Sequence, residues 1–242
     1  MTSEEANKSG EAIVLDKEDS TFYTDGAQYW KDVEPTVNGM LGGLGFLTDI
    51  DIKNSERFLK TLLKLPNPTG TSYALDCGAG IGRITKNLLS RYFDKVDLVD
   101  QCPNFIEKAK QNFEGNPKIG EFFCCGLQKF NPPTGKYDVI WIQWVLSHLT
   151  DDDLVDLLQR CMKALRPNGL LIVKENCTNS DKVEHDSTDS SATRPFKLFK
   201  DLFVKADFKV LKYVKQKNFP ADLYPVWSFA LSPNIGEKTS CC

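Results

Sequence analysis

From residue 72 onward short apolar runs alternate with helical patterns, and this alternation constrains the fold more than any other feature of the chain. Strands are expected at 72–75, 96–99, 121–125, 137–142 and 170–174, with helices at 84–92, 104–113, 152–165 and 195–206. Apolar strands separated by helices form a mainly parallel sheet covered on both faces. Two further strands, 209–215 and 226–231, follow one another without a helix between them, as an antiparallel hairpin does. The helix at 152–165 carries Leu154, Leu157, Leu158, Cys161 and Leu165 on one face. Thr150 or Asp151 can cap its start, and Pro167-Asn-Gly169 can end it. Residues 177–193 read as a polar loop. In such sheets ligands bind outside the carboxyl ends of the strands.

Ahead of this core, residues 21–65 read as a helical prelude. Phe22, Tyr23, Tyr29, Trp30 and Val33 recur at helical spacing, a glycine-rich turn covers 36–45, and Phe58, Leu59, Leu62 and Leu63 share the face of a second helix. The expected organisation is one domain over 21–232, made of a helical lid (21–65) and a Rossmann-like core (72–232). Polar tails at 1–20 and 233–242 are expected to be disordered. A net charge of −3 over 242 residues supplies no bulk positive field, so nucleic acid is not an expected partner. No apolar run approaches the ~20 residues of a membrane span, and residues 1–20 lack the apolar stretch of a secretory signal. The expected location is intracellular, cytoplasmic and nuclear, although no Lys/Arg cluster carries the nuclear part. None of the eight cysteines has CxxC spacing, so neither a metal nor a zinc site is expected and the thiols read as free. The terminal Cys241-Cys242 pair can be a prenylation signal or simply part of a tail.

Chemistry enters at Asp76-Cys-Gly-Ala-Gly-Ile-Gly-Arg83, directly after the first strand. Gly78, Gly80 and Gly82 allow a sharp turn and close approach to a ligand, and the helix that follows adds a positive dipole end. The spacing is G-x-G-x-G, not the G-x-G-x-x-G of NAD sites. With Asp76 placed to meet a cationic group and Arg83 a carboxylate, the loop points to S-adenosylmethionine. The alternative for Arg83 is a solvated first-turn residue. Asp100, 24 positions after Asp76 at the end of the second strand, can accept from ribose hydroxyls; alone it is equally a turn aspartate. Gln101 and Cys102 adjoin it as further cofactor candidates. Leu127 and Gln128, after the third strand, lie where an adenine ring rests, though Leu127 also fits plain core packing.

Asp76–Lys86, Trp141-Ile-Gln-Trp144 with His148-Leu-Thr-Asp151, Arg166-Pro-Asn-Gly169, and Asp189-Ser-Ser191 with Arg194 together resemble the protein α-N-terminal methyltransferases. The prelude from Pro35 to Gly43 and the closing run from Leu223 to Leu231 belong to the same resemblance, which covers roughly residues 22 to 231. It implies an α/β fold: a seven-strand class I methyltransferase sheet, Rossmann-like, with helices on both faces and an N-terminal helical extension over the cofactor. It implies S-adenosylmethionine contacts from Gly78, Arg83, Asp100, Leu127, Gln128 and Gln143. Asn176, Asp189 and His148 would handle the substrate amine. Tyr29, Trp30, Leu41, Trp144, Asp186, Ser191 and Tyr224 would form a channel for proteins whose exposed N-terminus begins Xaa-Pro-Lys. Asn38 and Leu44 stand where the family often carries Asp and Tyr, and 177–187 differs too. These departures bear on peptide preference, not on the reaction.

The residue types suit that chemistry. A free α-amine titrates near ~8 against ~10.4 for lysine, so it yields its lone pair more readily near neutrality. His148 and Asp189 are the candidate bases, while His185, in a charged loop, reads as surface. Asp181, Glu184, Asp186 and Asp189 in 177–193 would attract a cationic peptide end, or merely solvate a loop. The main alternative is a small-molecule amine N-methyltransferase, which shares the cofactor half but does not need the acidic loop or the aromatic prelude. A nucleic-acid amino-methyltransferase usually carries Asp/Asn-Pro-Pro-aromatic after the fourth strand, where this chain has Gln143-Trp-Val-Leu146. A catalytically silent binding module would not need the full residue set.

Overall fold

The computed structural model describes residues 21–234. Its strands are β1 (Tyr73–Cys77), β2 (Lys95–Asp100), β3 (Ile119–Cys124), β4 (Tyr137–Gln143), β5 (Leu165–Thr178), β6 (Glu184–Asp186), β7 (Ser191–Pro195), β8 (Phe208–Lys215) and β9 (Val226–Pro233). The α-helices are α1 (Thr21–Asp32), α2 (Val37–Met40), α3 (Thr48–Leu62), α4 (Ser90–Tyr92), α5 (Pro103–Asn112), α6 (Asp151–Ala164) and α7 (Phe196–Lys205). The expected helix at 84–92 is a π turn over Thr85–Leu89 running into α4.

Seven strands form the main sheet in the order β3-β2-β1-β4-β5-β9-β8. β1 to β5 pair in parallel, β9 runs antiparallel to β5, and β8 runs antiparallel to β9. The seven-strand sheet and its closing hairpin are those expected. Side chains alternate across it. Ile140, Ile142, Leu171, Val173, Phe229 and Leu231 pack under α6 and α7. Val139, Trp141, Leu170, Ile172 and Ala230 pack against Phe58, Leu59 and Leu62 of α3. Burying each of those three α3 side chains contributes about 1.5–3 kcal/mol, enough to seat a helix of the N-terminal layer on the sheet.

Three expectations are corrected. The 177–193 stretch is not all loop: β6 and β7 form a small antiparallel hairpin, and β7 runs parallel to the end of β5 at Cys177 and Thr178. A three-residue, fully exposed strand such as β6 is too short to show a period of two. The stop after α6 also falls earlier. The helix ends at Ala164, and Leu165 already opens β5, whose first turn is bent by Asn168 at φ 61°. At the other end β9 reaches Pro233, two residues past the expected strand end at 231, and the Asn234 N–H donates to Asp207 O at 2.7 Å. The expected tail at 1–20, and residues 235–242 of the one expected at 233–242, with Cys241 and Cys242, lie outside the described residues.

Candidate active site

At the carboxyl end of β1 the chain turns back over the sheet. Gly78 sits at φ 68°, and a Cβ there would come within 2.7 Å of Val145, so only glycine fits between the loop and the neighbouring turn. The Asp100 carboxylate at the end of β2 accepts from the Gly80 N–H and the Cys102 N–H, both at 2.8 Å, which ties the two strand ends together. Asp76 is buried, and its Oδ2 accepts from the Thr85 N–H at 3.0 Å and the Thr85 hydroxyl at 2.7 Å. Burial pushes its carboxyl up to about 6.

Asp76, Gly78, Gly80, Asp100 and Val145 wall a cavity together with Trp30, Met40, Leu41, Arg83, Gln101, Leu127, Gln128, Gln143, Trp144 and His148. About 880 Å³ of non-atom space lies within it, open mouth included. Seven of the eight cofactor candidates therefore line one cavity; Cys102 does not. It is buried behind the wall against Ile81 and Phe105, with its Sγ 3.7 Å from Trp30 O. Arg83 is not solvated. It is buried, stacks 5.2 Å over the Trp144 ring, and donates to Asp51 Oδ2 at 2.6 Å.

A second cavity opens beside the first and shares Trp30, Met40, Leu41, Trp144 and His148 with it. Tyr29, Asn176, Asp189, Ser191 and Tyr224 line it as well. Asp186 does not; it is exposed on β6 and accepts from the Thr188 N–H at 2.8 Å. At the rim the Tyr224 hydroxyl donates to Glu184 at 2.6 Å, bridging the β6 hairpin to the segment before β9. His185 is exposed on β6.

Between the cavities, the Trp30 indole N–H donates to His148 Nε2 at 3.0 Å, and His148 Nδ1 lies 3.4 Å from Ser190 O. With Nε2 accepting, the ring proton sits on Nδ1. Burial lowers the His148 pKa, against the opposing pull of Asp189. Asp189 Oδ1 is buried without a hydrogen-bond partner, and so is the Trp144 indole N–H. Trp144 itself is held at φ 54°, a left-handed conformation costly for a bulky residue.

Sequence reasoning missed what holds that turn. The Trp144 N–H donates to Lys174 O at 3.0 Å, and Glu175 Oε1 accepts from the Val145 and Leu146 N–H groups at 2.7 and 2.8 Å. Glu175 is buried and lines the second cavity, and burial pushes its carboxyl up to about 7. The available signal was Lys174-Glu175 itself, two charged residues in a strand otherwise buried on both faces. Met40 was missed too. It reaches from α2 to the glycine loop, where its Sδ accepts from the Ile81 N–H at 3.2 Å.

The first cavity has the composition an S-adenosylmethionine site needs: a carboxylate at the β2 end, a glycine turn, a buried arginine and an apolar shelf at Leu127. Residues 18–232 match the family described as AdoMet dependent proline di-methyltransferase. A relative from Xenopus tropicalis, called N-terminal Xaa-Pro-Lys N-methyltransferase 1, is 48% identical over 220 residues, covering 90% of this chain and 98% of the relative. The Homo sapiens protein of the same name is 46% identical over 217 residues, covering 89% and 97%. Among solved structures, a Leishmania major SAM-dependent methyltransferase superposes with a TM-score of 0.82 at 41% identity, covering 87% of this chain and 83% of that one. The Haemonchus contortus phosphoethanolamine N-methyltransferase 1, solved with S-adenosylhomocysteine, shares the fold at 20% identity and a TM-score of 0.62, covering 90% and 50%. This chain is a member of the AdoMet-dependent proline di-methyltransferase family, an S-adenosylmethionine-dependent methyltransferase.

Proposed function

We propose that this methyltransferase modifies the free α-amine of protein N-termini beginning Xaa-Pro-Lys. The observation that carries the reading is the buried, unpartnered Asp189 Oδ1 in a cavity that shares a wall with the cofactor cavity. A buried carboxylate oxygen without a donor is costly, and an incoming ammonium supplies the missing donor. Bound in the first cavity, S-adenosylmethionine supplies a methyl group on a sulfonium. As the amine lone pair forms the N–C bond, the C–S bond breaks, so the ammonium must first lose a proton. Asp189 has the free acceptor for that proton. His148 Nε2 is occupied by the Trp30 indole, so the imidazole orients its surroundings while that bond holds. Asn176, at the carboxyl end of β5, lines the same cavity and can hold the amine through its side-chain oxygen. The unpaired Trp144 indole N–H is a donor for a peptide carbonyl, and Tyr29, Trp30 and Leu41 give a proline an apolar wall. Outside, exposed Asp181, Glu184 and Asp186 favour a lysine further along the peptide.

The relatives' shared name supports the same acceptor over a small amine. Labelled cofactor offered with peptides beginning Ser-Pro-Lys, Ser-Gln-Lys and acetyl-Ser-Pro-Lys separates the two. Label is expected on the first alone, and labelling of the acetylated peptide sinks the α-amine reading. Asp189→Asn is expected to lose about 100-fold or more in kcat while still binding S-adenosylhomocysteine.

A further inference from the structure

Beneath the cofactor cavity lies a buried polar cluster that joins the N-terminal layer to the sheet. Its centre is Asp51, fully buried in the first turn of α3. Arg83 donates to its Oδ2 at 2.6 Å, and Gln143 Nε2 lies 3.0 Å from both carboxylate oxygens. The Lys174 ammonium donates to its Oδ1 and to Ser55 Oγ, the latter at 2.9 Å. Arg83 and Gln143 line the cavity; Asp51 and Lys174 do not. Burial pushes the Asp51 carboxyl up, but Lys174 and Arg83 outweigh it and hold it below the usual carboxylate range.

We propose that Asp51 is a positioning residue for cofactor binding: it fixes the Arg83 guanidinium at the cavity wall and so couples recognition of the cofactor's carboxylate to the seating of α3. This rests on the reading of the first cavity as the cofactor site, with Arg83 facing the amino-acid end. A free arginine loses rotamer freedom when it captures a carboxylate, and one already clamped has lost it on folding. Asp51 also lies between two buried cations and offsets their repulsion: Arg83 disfavours the Lys174 charge and Asp51 favours it.

Calorimetry on the whole chain with two probes tests this. S-adenosylhomocysteine carries the carboxylate; 5′-methylthioadenosine has the nucleoside and thioether without it. Asp51→Asn is expected to weaken S-adenosylhomocysteine at least tenfold and leave methylthioadenosine within twofold. In Arg83→Gln, adding Asp51→Asn should cost less than a further twofold, because both act through one contact. Asp51→Leu with Lys174→Met removes the Asp51 and Lys174 charges together and leaves Arg83 unclamped; it keeps the test open if Asp51→Asn does not fold, and the same selective loss is expected. Equal loss of both probes means a merely structural role and overturns the proposal. Unchanged or tighter S-adenosylhomocysteine binding overturns it as well. Failure of the unaltered chain to bind either probe instead overturns the reading of the cavity.

Discussion

His148 has one nitrogen committed to the Trp30 indole and the other facing Ser190 O. Donation to Nε2 stabilises the neutral ring, and burial acts in the same direction. Trp30→Phe removes the donor and opens the site to water, so His148 should titrate at higher pH than in the unaltered chain. NMR of the imidazole C–H signals reads this, with exposed His185 as internal reference; an unchanged or lower titration counts against the assigned tautomer. At Gly82 the constraint is steric. Its φ is 85°, and an added Cβ would fall against the Phe113 ring and Leu98. Gly82→Ala should cost about 1–3 kcal/mol through combined strain and overpacking, visible as a lower Tm. A change of less than a degree would mean the loop shifts freely.

At the scale of elements, the carboxyl end of β5 does the most to shape the site. It delivers Lys174 to Asp51, Glu175 to the turn after β4 and Asn176 to the second cavity. Glu175 is raised in the folded state from 4.5 to about 7 by burial. The folded protein therefore binds more protons than the unfolded chain between these values. The group's contribution is fully present below about 4.5 and is lost as pH rises through about 7. Glu175→Gln keeps an acceptor for Val145 and Leu146 without the charge. It should raise Tm at pH 8, by up to about 3 kcal/mol in stability, and that advantage should vanish near pH 4.5. A gain that grows as pH falls has the wrong sign. Most of β5 was legible as an apolar run. Its polar end was not, because the reason for burying Lys174 and Glu175 lies in partners 123 and 29–30 positions away.

For the whole molecule, the described residues form a sheet with an N-terminal layer locked over its carboxyl edge by few but specific bonds. The Trp30 indole reaches His148, the Ser190 hydroxyl donates to Phe22 O at 2.9 Å, and Tyr23 pairs with Asp153. A ligand that touches both layers should stabilise both. S-adenosylhomocysteine at 100 times its Kd adds about 2.7 kcal/mol, which for a domain of this size raises Tm by about 5–10 °C. Hydrogen exchange should slow in α2 and α3 as well as in β1 and β2. Protection confined to the sheet would show that the helical layer does not close over the cofactor.

Periodicity alone determined the parallel core, the closing hairpin and the helical layer, because buried faces repeat every 2 or 3.6 residues whatever their partners. The glycine loop with Asp100 likewise marked the first cavity, proposed here for the cofactor, since a backbone that must approach a ligand closely leaves glycine as its trace in sequence. The β6–β7 hairpin, the exclusion of Cys102 and Asp186 from the cavity walls, and the burial of Asp51, Lys174 and Glu175 were decided only by tertiary structure. Each depends on which distant groups meet. A side chain's cost of burial is fixed by the partners around it, and those partners are neighbours in space that local sequence does not record.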